Sequence, residues 1–209
     1  MREKVGVKQA RAVRTRRLIL RAAAEEFDRH GYAGTSLNSV TRSAGISIGA
    51  LTFHFPTKPD LADAVQAAGI VLTRHVAGRV AGLPASPLAR ARALTLAIAR
   101  LLEEDTTVRA TARLTRERSI DSAWTDAWLA DMTELLNRAH ADGWLRSQVT
   151  PEAFAESARF LITGIEEYVR RTTSDATAVR RAAHTWDLLL YGAARPRAIY
   201  TNWPESSAT

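Results

Sequence analysis

Apolar residues recur along this chain at intervals of three and four, the spacing that gathers them on one helical face. No run alternates convincingly at the two-residue period of a half-buried strand. Residues 8–30 place Ile19, Ala23 and Phe27 on one face, arginines on much of the remainder, and Gly31 as the stop. Ser36 then stands just before Leu37, Val40 and Ala44, where its hydroxyl can cap a short helix. Ala44-Gly45-Ile46 breaks the pattern, and Ser47 caps a second short run. There Gly49 and Ala50 precede Leu51, Phe53 and Phe55, read as an apolar and aromatic closure. Thr57 and Pro59 open a longer helix over about 59–82, with Leu61, Val65, Ala68 and Leu72 inward.

Downstream, the two prolines of 83–90 mark a loop. Helices are predicted over 88–104 (Ala91, Leu94, Ile98, Leu101 and Leu102 inward), 107–118 and 123–141, the last ended by Gly143. Thr150-Pro151 starts another over 151–172, with Phe154, Ala158, Leu161, Ile162, Ile165 and Val169 on its apolar face. Thr173-Ser174-Asp175 restarts a last helix through Val179, Ala183, Trp186, Leu190 and Ala193, and 195–209 reads as a loosely held tail. The fold class is all-α.

Two short helices joined at Gly45 have the layout of a helix-turn-helix, whose second helix enters the DNA major groove. Many helical hairpins carry a glycine between them, so the charge distribution matters. The chain of 209 residues has a formal charge of +7, and residues 1–60 hold 11 basic against 5 acidic side chains. The basic excess therefore sits beside the motif, as phosphate contacts require. Ser47, Ile48, Gly49, Ala50, Thr52 and His54 are expected to face the groove, with Arg42, Lys58 and the N-terminal arginines on phosphates. Gly49 and Ala50 let the backbone approach DNA, and Ile48 and Thr52 can pack on thymine methyls.

Other chemistries find little support. The absence of cysteine excludes disulfides and cysteine-ligated zinc. The basic N-terminus lacks the apolar core of a secretory signal, and no apolar run approaches a membrane span. A cytoplasmic protein is expected. His30, His54, His75, His140 and His184 are scattered, without HExxH, and no GxSxG, P-loop or GxGxxG occurs. Neither catalytic, metal-ligating nor cofactor-binding residues are assigned. An effector pocket needs apolar walls with a few polar groups; by amphipathic position Leu114, Trp124, Trp128, Phe160, Ile165 and Tyr168 supply walls, Thr115 and Thr163 donors.

An amphipathic helix ending in Phe27, followed by HGYAGTSL, AGIS, GAL, FHF and Lys58, resembles the N-terminal domain of TetR-family repressors over about residues 12–61. Lys8-Gln9-Ala10-Arg11-Ala12 and Gly49-Ala50-Leu51 with Phe53-His54-Phe55 look closest to the γ-butyrolactone receptor branch. Two positions depart: Ile48 stands where that branch usually has lysine, and Thr52 where it usually has tyrosine. Trp124, after Arg113-Leu114…Glu117, resembles the tryptophan that packs on the lactone in those receptors. The resemblance implies a DNA-binding domain over 1–58 and an effector-binding and dimerisation domain over 59–209. It also implies a homodimer on operator DNA, released by a small hydrophobic effector: a γ-butyrolactone-like, furan or butenolide signal, or an antibiotic. Control of antibiotic or secondary-metabolite production would follow. The last two helices, with small residues Ala155, Ala158 and Gly164, are the expected dimer surface. The alternative is a helical enzyme or interaction module that keeps the fold without reading DNA.

Overall fold

The computed structural model describes residues 2–118, 123–172 and 177–195, with side chains from residue 9 onward. Among these residues the chain forms nine α-helices: α1 (Arg2–Gly34), α2 (Leu37–Ala44), α3 (Ile48–His54), α4 (Lys58–Ala81), α5 (Pro87–Glu104), α6 (Thr106–Arg118), α7 (Ala123–Ala141), α8 (Pro151–Arg171) and α9 (Ala178–Ala193). The strand-like pairing among them is one antiparallel bridge, Leu145 with Ala194. The helices divide between two compact units, Met1–Leu72 with Thr106–Trp124, and Thr73–Asp105 with Thr125–Thr209.

The first unit joins α1, α2, α3 and the start of α4 to α6. Its core gathers Ile19, Ala23 and Phe27 of α1, Val40 of α2, Leu51 of α3, Phe55, Leu61 and Val65 of α4, and Ala110 and Leu114 of α6. Burying each of the larger side chains contributes about 1.5–3 kcal/mol. The helix ends behave as their residue types require. Ser36 and Ser39 form a reciprocal capping box, Ser47 caps α3, and Thr57 and Asp60 exchange hydrogen bonds across the start of α4. Phe53 of the aromatic closure stands outside the core, and Leu72, expected inward, is partly exposed. Phe53 is 80 % exposed, because Leu51 and Phe55, four residues apart, take the buried face of α3 and a residue midway between them must point away. Leu72, at the edge of the unit, is 38 % exposed.

The helix that ends this unit's N-terminal stretch does not stop at Gly31 but breaks there and resumes for one turn. Gly31 has φ 70° and ψ −178°, a region that essentially only glycine occupies. A methyl group on it would also lie 2.5 and 2.6 Å from the two carboxylate oxygens of Glu117.

In the second unit α5 presents Leu94, Ile98 and Leu102, α8 presents Phe154, Ala158, Ile162 and Ile165, and α9 presents Ala182, Trp186 and Leu190 to a common core. The Phe154 and Trp186 rings meet at 5.1 Å. Pro151 stands in the first turn of α8 behind its cap Thr150, and Ser86 with Pro87 starts α5 in the same way. Thr177 makes no side-chain cap at α9; instead the Glu103 carboxylate of α5 accepts the Ala178 and Val179 N–H groups, placing negative charge at the positive end of the helix. The predicted start at Thr173-Ser174-Asp175 and the tail from residue 196 lie outside the described residues. Ala155 and Ala158 are spent inside this unit, whereas Phe160 (62 %), Leu188 (59 %) and Tyr191 (67 %) stand exposed on the outer faces of α8 and α9.

Replacing Gly31 with alanine is expected to destabilise the protein. The backbone conformation alone costs on the order of 1–3 kcal/mol, and the displaced carboxylate adds to it. Thermal unfolding followed by circular dichroism checks this; an unchanged melting temperature would mean the break tolerates a side chain.

Candidate nucleic-acid interface

The helix-turn-helix is built from local chemistry. Gly45 closes α2 in the left-handed conformation (φ 65°, ψ 36°), which directs its N–H to Arg42 O and the Ile46 N–H to Thr41 O. The chain leaves this turn extended at Ser47, whose hydroxyl accepts the Ala50 N–H at 3.2 Å. With Leu51 and Phe55 held in the core, the rest of α3 faces outward. Ser47, Ile48 and Gly49 are exposed, Ala50, Thr52 and His54 half-buried, and Arg42 is exposed in the last turn of α2. The space beside Gly49 is open: an added methyl would meet nothing within 4 Å.

Ile48 and Thr52 lie one turn apart on this outer surface. Thr52 donates its hydroxyl to the Ile48 carbonyl at 3.0 Å, which occupies its proton inside the helix. Ile48 is 46 % exposed. Phe53 adds a third apolar group, its ring edge-on to His54 at 5.2 Å. Phe53 belongs to the aromatic closure expected from the sequence, and the spacing of Leu51 and Phe55 carries the signal for its outward direction. Lys58, the first residue of α4, rests its ammonium 4.4 Å above the Tyr32 ring.

α1 carries a basic face of its own. Arg11, Arg14, Arg17 and Arg21, with Ala10, Thr15 and Leu18 between them, line one open groove along the helix. Spacings of three, three and four residues keep these guanidiniums on one face. Arg16 turns away to lie 5.1 Å over the Phe55 ring, and Arg21 shares its charge with Glu25 at 3.4 Å. Among the described residues no cluster of three or more histidines or carboxylates is placed to hold a metal ion.

Residues 19–65, the span holding α2, α3 and the core face of α1, match the sequence profile of bacterial regulatory proteins of the tetR family. The TetR-family protein CprB from S. coelicolor A3(2) shares 30% sequence identity with a TM-score of 0.79, over 91% of this chain and 94% of that one. The chain belongs to the TetR family. A γ-butyrolactone receptor, an ArpA-like protein, superposes with a TM-score of 0.76 at 30% identity over 90% of this chain and 92% of that chain. The A-factor receptor protein of Streptomyces griseus is 29% identical over 201 residues, 95% of this chain and 70% of that protein. This TetR-family member is thus a DNA-binding regulator of the γ-butyrolactone receptor branch, and its relatives are regulators and receptors, not enzymes.

The effector residues expected in this TetR-family chain are shared between its two units. In the first, Leu114 is fully buried, Thr115 accepts a hydrogen bond from Gln66 at 3.2 Å, and Trp124 is buried. In the second, Trp128 is buried, and the Tyr168 hydroxyl lies 2.6 Å from that of Thr177. Phe160 and Thr163 are on the exposed side of α8, where Thr163 returns its hydroxyl to the Arg159 carbonyl at 3.0 Å.

Proposed function

We propose that this TetR-family regulator is a homodimeric repressor that leaves its operator when a small hydrophobic effector binds. Residues 1–58 read the DNA, and 59–209 bind the effector and the second subunit. The observation that supports DNA reading best is the outer face of α3, where Gly49 stands over open space between the exposed Ile48 and Phe53. Gly49 and Ala50 let backbone approach the base edges. Ile48, Thr52 and Phe53 offer methyl and ring surface, the complement of the thymine C5-methyl group. Arg42, Lys58 and the α1 arginines hold phosphates, while Ser47 and His54 border the groove. With isoleucine and threonine at 48 and 52, specificity leans on methyl contacts.

The effector is of the γ-butyrolactone, furan or butenolide class, or an antibiotic, and Trp124 packs on it. Its likeness to a γ-butyrolactone receptor supports the first of these classes. Control of secondary-metabolite production in the cytoplasm is the matching role. Phe160, Leu188 and Tyr191 supply apolar surface for the dimer, since a stable homodimer must cover about 800 Å² on each protomer and these large apolar side chains of α8 and α9 are exposed.

Three measurements test these statements. On the footprinted operator of its own promoter, binding is expected to weaken steeply with salt. Replacing contacted thymines by deoxyuridine should cost on the order of 1 kcal/mol, a penalty that Ile48→Ala abolishes. Equal affinity for both DNAs would remove methyl reading. In a panel of synthetic γ-butyrolactones and butenolides, at least one is expected to release the DNA, and Trp124→Ala should lose that release while still binding operator; an undiminished response takes Trp124 out of the site. Finally, Leu188→Glu with Tyr191→Glu is expected to convert the dimer to a monomer in sedimentation equilibrium. Persistence of the dimer would place the interface elsewhere.

A further inference from the structure

The break in α1 is held open by another helix. In a continuous helix the Tyr32 N–H would donate to the Asp28 carbonyl four residues earlier. Here each of these groups is met by α6 instead. The Asp28 carbonyl accepts from Arg113 Nη1 at 2.7 Å, and the Tyr32 N–H donates to Glu117 Oε2 at 2.6 Å. Arg113 Nε in turn donates to Glu117 Oε1 at 2.6 Å. An ion pair is thereby inserted into one backbone hydrogen bond of α1. One turn earlier on the same face, Arg109 pairs with the Asp28 carboxylate at 2.9 Å. Burial pushes the Glu117 carboxyl up, but the Arg113 guanidinium, the Tyr32 N–H and the charge of Arg116 together hold it below the usual carboxylate range, so the pair is ionised at neutral pH.

The inserted pair fixes where Tyr32 stands. Its ring stacks on Phe27 at 6.2 Å and carries two cations, Lys58 at 4.4 Å and Arg118 at 5.2 Å. Arg118 is itself drawn to Asp63 at 2.6 Å. Lys58 keeps its ammonium over an aromatic face without an acidic partner in that contact, which leaves its charge available to an outside anion.

We propose that Arg113 and Glu117 are positioning residues for DNA binding: wedged into α1 at Gly31, they fix the Tyr32 ring as the seat of Lys58, so that α6 sets how firmly this surface grips phosphate. The proposal rests on the reading of Lys58 as an operator-phosphate contact. It also gives this turn of α1 a discrete second state. When the pair withdraws, Asp28 O and Tyr32 N–H can rejoin, because Gly31 takes either backbone conformation at no steric cost. The Tyr32 ring then turns with its backbone and the seat of Lys58 is lost. The element biased by α6 is thus one turn of α1 with two hydrogen-bonding arrangements.

The test uses the full chain and the footprinted operator, with affinity measured across a potassium chloride series for the wild type, Glu117→Ala, Glu117→Gln, Lys58→Ala and the Glu117→Ala, Lys58→Ala double variant. Loss of one phosphate contact makes the log–log salt slope shallower by about 0.9, and a substitution present in both subunits removes two, about 1.8 in all. Glu117→Ala is expected to reduce affinity on the order of tenfold and flatten the slope as much as Lys58→Ala does. The double variant should bind no more weakly than Lys58→Ala alone. Glu117→Gln, which keeps an acceptor for the Tyr32 N–H, should fall between Glu117→Ala and the wild type. Tyr32→Leu removes the cation seat while leaving the ion pair, and carries the same expectation should Glu117→Ala fail to fold. A slope unchanged in the folded variants, with losses that add to that of Lys58→Ala, would overturn the proposal and leave the pair a stabilising contact. Failure of the wild type to bind DNA in a salt-dependent way would instead sink the repressor reading, and this inference with it.

Discussion

The outer face of the helix-turn-helix depends on two side chains that reach the core, one from the seven-residue α3 and one from the residue that caps it. Isolated helices that short are not stable in water, so α3 owes its existence to tertiary burial. Leu51 and Phe55 provide it, packing against Ile19, Ala23 and Phe27 of α1 and against Val40 and Leu61. Once these two positions are fixed, the helical period leaves no freedom in what faces outward. Ile48, Gly49 and Phe53 are exposed as a consequence of that burial, in the way that the face of a key follows from its shank. The Ser36 and Ser47 caps and the Gly45 turn then set the ends of α2 and α3 without adding core.

Charge in the first unit is arranged around the same core. Cations of α6 are spent within it: Arg109 on Asp28, Arg113 on Glu117 and the Asp28 carbonyl, Arg118 on Asp63. Those lining the groove along α1 stay largely in water, Arg21 with 83 % of its side chain exposed despite its contact with Glu25. A half-buried guanidinium needs a partner because its desolvation is otherwise uncompensated, whereas an exposed one loses little by lacking a partner. The same residue type therefore serves as internal brace on α6 and as exposed surface on α1. In the second unit the Glu103 carboxylate at the start of α9 is the counterpart, an acid spent on the backbone of another helix.

Much of this was legible before any coordinates. Helix starts at Ser36, Ser47 and Thr150 and the stops at Gly45 and Gly143 are written in residues two to four positions apart, and such local hydrogen bonding does not depend on the rest of the fold. The basic excess of residues 1–60 and the glycine, alanine and aromatic positions around α3 were equally plain. The aromatic closure does not say which ring is buried: Phe55 is in the core and Phe53 stands outward. An apolar helix face does not say which neighbour covers it, and Ala155 and Ala158 are buried in their own unit while Phe160 is exposed.

By itself the sequence determined the helices, the turn and the face that carries the arginines, since each follows from periodicity and from side chains acting on nearby backbone. The tertiary structure alone decided that α6 belongs with the helix-turn-helix, and that an ion pair from it enters α1 between Asp28 and Tyr32. Those contacts join residues 85 positions apart. No local pattern encodes them, because glutamate and arginine four residues apart look the same on a helix whether they meet water or another backbone.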